Sequence, residues 1–202
     1  MAATALLEIH VHLVNGSISR FVQDEPVEID RILNHIHPEK VFNQPTIVIA
    51  GRHSMTALPT SAVARIDFVM DGFPGWEFHR NLKDAVQITH EELRERYIPI
   101  AETSTRTDMA VPEGEVVTAF AEAELMGGER LYVEVQLTAD RRTPLERGML
   151  LHQIFTGSSL YARRRGGGGI LINPANVVRI TLYPGPPETP PNAWPARHLT
   201  GL

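Results

Sequence analysis

Thr56–Val69 reads TALPTSAVARIDFV, and Ile170–Tyr183 reads ILINPANVVRITLY. Each has a short apolar run, a polar kink holding a proline, and a second run of the form Val-x-Arg-Ile. Val63, Arg65 and Ile66 return as Val177, Arg179 and Ile180. A proline inside such a stretch removes a backbone donor, so neither one long strand nor one helix can carry it. Two short strands around a turn are what remain. Self-similarity far apart in a chain marks a repeated unit. The two stretches are therefore expected to close two copies of one module.

The residues before each stretch extend the match. Leu7, Ile9, Val11 and Leu13 alternate with Glu8, His10 and His12, which predicts a half-buried strand with one dry and one wet face. Asn15-Gly16 is a turn signal, and Ser17–Glu25 reads as polar with Ile18, Phe21 and Val22 as anchors. Pro26 suits the first turn of a helix, and Val27, Ile29, Ile32, Leu33 and Ile36 follow at helical spacing until Pro38 stops it. Thr46–Ala50, Met55–Leu58 and Ala62–Val69 then read as strands, with Gly51–Ser54 as a hairpin turn.

In the second copy Leu131, Val133, Val135 and Leu137 form the dry strand face. Pro144 opens a helix with Leu145, Leu150, Leu151 and Ile154, and Gly157 caps it. Leu160–Arg165 is the next strand and Gly166–Gly169 the turn. The second copy is the shorter, and its deletions fall between elements, where a fold tolerates them.

Asp71–Arg130 separates the copies. Trp76 is expected to pack back from a loop, and Asp84–Ile88 to form a strand. Thr89 caps a helix whose buried face is Leu93 and Tyr97 and whose end is Pro99. Ala101–Gly114 reads as a loop. Glu115–Leu125 alternates, and Gly127-Gly128 turns it into Leu131 as a long hairpin. The expected fold is thus α+β: two duplicated barrel-like βαβββ modules at residues 1–71 and 131–183, an insert at 72–130, and a proline-rich tail at 184–202.

Short strands, glycine turns and the kink before each Val-x-Arg-Ile run resemble the closing part of small SH3-like or Sm-like barrels. The Ile32-Leu33-Asn34 helix followed by Val41-Phe42 is similar to small uncharacterised bacterial barrel modules. The resemblance spans roughly 60 residues of each copy. Sm-like barrels set a helix before the first strand, whereas here it follows that strand, so no binding residue is carried over.

Composition narrows the chemistry. The chain has no cysteine, which excludes disulfides, thiolate nucleophiles and cysteine-based metal centres and fits the cytoplasm. It begins without a basic segment leading into a long apolar run, and no run approaches the ~20 residues that span a bilayer. With 24 acidic and 19 basic residues it carries a net charge of −5, a poor match to a phosphate backbone.

His10 and His12 share a strand face and are the candidate metal pair, but zinc needs three or four converging ligands. A polar face that happens to use histidine explains them more simply, so no metal or cofactor is expected. The carboxylates around Glu28 and Glu92 flank helix starts, where the dipole favours them.

Arg141, Arg142, Arg163, Arg164 and Arg165 are the candidate ligand-binding residues, because guanidinium beside flexible glycine grips phosphate. The competing explanation is an edge strand guarded by charge. Gly166–Gly169 is no phosphate loop, since it lacks a following Lys-Ser/Thr and leads into a strand. The tail, with Trp194 and Leu199, is a candidate docking peptide for a protein partner, although an unstructured terminus or a strap across its own fold explains it more simply.

With no recognisable catalytic constellation, a non-enzymatic interaction or scaffold protein that forms a homo-oligomer is the leading reading. Nucleic-acid or phosphate binding through the arginines, and a metal-dependent enzyme using His10 and His12, are the alternatives.

Overall fold

The computed structural model of the chain describes residues 6–78, 82–103, 114–138, 157–185, 193–194 and 196. Its elements in order are β1 (Leu7–Leu13), β2 (Ile18–Gln23), α1 (Pro26–His35), α2 (Pro38–Val41), β3 (Thr46–Ala50), β4 (Met55–Pro59) and β5 (Val63–Val69). β6 (Leu82–Ile88), α3 (His90–Thr103), β7 (Val116–Leu125), β8 (Arg130–Thr138), β9 (Leu160–Arg163), β10 (Gly169–Ile172) and β11 (Val177–Tyr183) complete them. The protein is mostly sheet with few helices, an α+β fold as expected.

Among the described residues nine strands join one sheet in the order β11-β7-β8-β6-β9-β10-β5-β1-β2, and β3 pairs with β4 as a separate hairpin. Every pairing is antiparallel except β6 with β9. The expected barrel shape is not found: no closed barrel forms among the described residues. Of the repeated stretches, β5, β10 and β11 lie in the large sheet, where β5 pairs directly with β10, Ile66 opposite Leu171, while β4 stays in the separate hairpin. Each stretch folds as strand, one 3₁₀ turn and strand, with the turns at Thr60–Ala62 and Pro174–Asn176.

The two turns are bolted together. The buried Asn173 amide donates to the Thr60 and Val63 carbonyls at 3.0 Å each, and Asn176 donates to the Val63 carbonyl at 2.8 Å. A carbonyl buried at a strand entry must find a donor, and these side chains supply it.

Among the described residues three apolar clusters hold the sheet. Leu7, Val11, Ile66, Phe68 and Leu171 pack under α1 through Ile29, with the β3–β4 hairpin against their edge. Ile170 and Ile172 meet Ala123, Leu125 and Leu131. Ile88, Leu93 and Phe120 anchor α3. The glycine turn before β10 follows from packing. Gly168 has φ +86°, and a Cβ there would run into the Phe68 carbonyl.

Three expectations are corrected. Ser17–Glu25 is not merely a polar connection, because Ile18–Gln23 forms β2. α3 does not stop at Pro99 but continues to Thr103. The packing of Tyr97 and Ile100 against the Phe120 cluster holds the helix across the missing donor. β9 ends at Arg163, two residues early. The helix expected from Pro144, together with Leu145, Leu150, Leu151 and Ile154, lies outside the described residues.

Candidate functional site

His12 and Arg65 are cross-strand partners on β1 and β5, so their side chains leave the same face of the sheet. Asp67 lies two residues on and shares that face. All three are buried, at 9%, 6% and 4% exposure. Arg65 Nη2 donates to Asp67 Oδ2 at 3.0 Å, and Nη1 meets Glu129 Oε1 at 2.9 Å. Glu129 comes from the β7–β8 turn, which folds over β1 and closes the cluster.

The His12 ring sits between these groups. Nδ1 lies 3.3 Å from Glu129 Oε2, and Nε2 lies 3.3 Å from Asp67 Oδ2 and 3.1 Å from Arg65 Nη2. A neutral ring with its proton on Nδ1 donates to Glu129 and accepts from Arg65. A protonated ring donates to both carboxylates, and Arg65 keeps Asp67 and Glu129. Burial by itself lowers the His12 pKa, but the hydrogen bonds to Asp67 and Glu129 outweigh it and leave the pKa raised.

A second network surrounds the other repeated arginine. Arg179 Nη2 meets Glu124 Oε2 at 2.8 Å and Glu122 Oε1 at 3.6 Å. Arg130 Nη1 lies 3.4 Å from Glu122 Oε1, and the Tyr183 hydroxyl donates to Glu122 Oε2 at 3.3 Å. Burial and the Glu122 charge push the Tyr183 hydroxyl pKa up. Glu129 and Arg130 are neighbours in sequence, so one hairpin inserts an acid into the first network and a base into the second.

The two histidines of the alternative metal pair turn to different partners. His10 Nε2 bonds Glu8 at 2.8 Å, while His12 faces Asp67 and Glu129. Among the described residues no group of three or more His, Cys, Asp or Glu side chains is arranged to hold a metal ion. His12 is also not on a wet face, because the β7–β8 turn covers it.

Of the candidate arginines, Arg141 and Arg142 lie outside the described residues. Arg163 bonds Asp84 at 2.8 Å and lies 4.4 Å over the Phe73 ring, and Arg165 meets Glu92 at 3.2 Å. Arg164 reaches back to the Arg165 carbonyl at 3.1 Å. Arg165 and Arg96 border a shallow groove beside α3, each paired with an acid there, Glu92 and Glu134.

The ends of the sheet are the other candidates. Leu13 N–H bonds the Ser17 carbonyl and Gly16 N–H bonds the Leu13 carbonyl, so Leu13 turns both backbone groups toward the β2 side and starts the succession of hydrogen-bonded and non-hydrogen-bonded pairs. Such pairs alternate along antiparallel strands. Ser19, Phe21 and Gln23 therefore turn their amides toward β1. Ile18, Arg20 and Val22 turn theirs outward, where no described strand receives them. β11 ends the sheet on the far side, with Val178 60% exposed.

No family model, no curated protein and no solved structure matches the chain. The residues that reading the sequence missed are Asp67, Glu129 and the role of Arg65. The available signal was an arginine repeated inside two apolar strands, where a charge needs a buried partner.

Proposed function

We propose that the chain is a non-enzymatic interaction or scaffold protein that assembles with further copies of itself through the ends of its sheet. The observation that carries this reading is the β2 edge, a row of outward amides flanked by Ile18 and Val22, which are 45% and 66% exposed. Unpaired strand edges recruit other strands unless they are covered or blocked. The interior charges support the same reading, since Arg65 and Glu122 already have partners of opposite sign.

The two strand–turn–strand units are read here as copies of one SH3-like or Sm-like module, fused edge to edge through β5 and β10. The shared 3₁₀ turn and the shared arginine support that history. Phosphate or nucleic-acid binding ranks behind assembly, because a phosphate would have to displace Asp84 and Glu92 from Arg163 and Arg165.

Light scattering on the full chain, beside a chain ending at Tyr183, tests the reading. A defined oligomer in both supports assembly through the sheet. A monomer in both, at the highest soluble concentration, overturns it.

A further inference from the structure

The β2 edge has more content than an open row of amides. Ile18, Arg20, Val22 and Asp24 are all exposed, and the three strand residues lie on one side of β2. The Arg20 and Asp24 side chains make no ion pair among the described residues, although each is charged and only Val22 separates them along that side. Gln23 Oε1 accepts from the Asp24 and Glu25 N–H groups at 3.0 Å each, which fixes the chain ahead of Pro26.

We propose that β2 pairs antiparallel with β2 of a second copy across a two-fold axis that passes beside Val22. The inference rests on the self-assembly reading and specifies its surface, its partner and its register. In a symmetric antiparallel pair the register is set by the residue on the axis. With Val22 on the axis, Val22 faces Val22, and Arg20 faces Asp24 twice.

The hydrogen-bond parity agrees. Val22 presents both backbone groups outward and exchanges them with its counterpart. The Arg20 N–H reaches the Asp24 carbonyl, and the Asp24 N–H stays with Gln23. Centring on Arg20 instead would set two guanidiniums opposite each other. Cross-strand opposite charges stabilise a pair, and like charges directly opposite destabilise it.

The test uses the full chain, which has no cysteine of its own. Val22→Cys places one thiol on the axis. Directly opposed hydrogen-bonded residues have Cα atoms about 5.5 Å apart, within disulfide range. Mild oxidation should therefore give a covalent dimer.

Arg20→Asp alone, or Asp24→Arg alone, should raise the dimer dissociation constant at least about tenfold by setting like charges face to face. Arg20→Asp combined with Asp24→Arg should restore the dimer, because the swapped charges meet again. Both residues are exposed, and circular dichroism should show all variants folded.

An oligomer that ignores the single reversals, and whose Val22→Cys variant gives no crosslink, overturns this register while leaving self-assembly intact. Crosslinking through Val178→Cys instead would move the contact to β11 and also overturn it. A monomeric parent chain overturns the assembly reading itself.

Discussion

At the scale of single residues, His12 gives the sharpest expectation. Its folded pKa is raised above the ordinary 6.5, so the folded state holds the proton more tightly than the unfolded chain does. The stabilisation is complete below the unfolded value and is lost as pH rises through the folded one. The urea midpoint should fall as pH is raised above 6.5, and His12→Gln should flatten the curve in that range. A parent chain with no slope there would remove the proton from the account.

Gly168 tests sterics instead. Its φ of +86° and the Phe68 carbonyl in the path of any Cβ predict that Gly168→Ala loses roughly 1–3 kcal/mol in a denaturant titration, or more if β10 shifts. The run of four glycines was visible in the sequence, but its reason was not. It lies in a carbonyl from a strand about a hundred positions earlier.

His12 shows the same limit. Alternation correctly set it opposite Val11. Alternation carries no information about which loop later covers that face.

Among elements, local chemistry decided what was readable. β1 follows from strict alternation, α1 from Pro26 and its apolar spacing, and the start of α3 from Thr89. Thr89 Oγ1 accepts from Glu92 N–H at 3.2 Å, while Glu92 Oε2 accepts from Thr89 N–H at 2.8 Å. β2 escaped because its exposed side carries apolar residues, the reverse of the usual pattern. α3 ran past Pro99 because a tertiary contact outweighed a local rule. The union of β5 with β10 had no local signature at all.

That union makes its own prediction. Asn173→Ala removes two donors from buried carbonyls and should cost about 1–3 kcal/mol. Asn173→Asp should cost more near neutral pH, because a carboxylate would face those same carbonyls. Equal midpoints for the two variants in a denaturant titration would show that the amide donors are not the reason for the asparagine.

For the whole molecule, the continuous sheet and the β7–β8 hairpin argue for one cooperative unit. Glu129 holds the Arg65 network and Arg130 the Arg179 network, so neither end can open without disturbing the other. Native-state hydrogen exchange should give the amides of β5 and β10 the same opening free energy as global unfolding. Separate, lower protection for the β10 amides would indicate two independent halves. No helix among the described residues is long and apolar enough to cross a membrane.

The pairing of β5 with β10 also sets a schedule for the chain as it is made. Asn173 fills its place against Val63, 110 positions earlier, only after all the residues between them have left the ribosome. Until then the nascent first half carries a bare strand edge on the side where β10 will dock, beside a charge cluster that gains Glu129 only part-way through that interval. Synthesis proceeds at about 5–20 residues per second, so that edge stays open for seconds. The emerging chain therefore passes through a period in which a holding chaperone, or a neighbouring nascent copy on the same message, can reach a surface that the finished protein never shows.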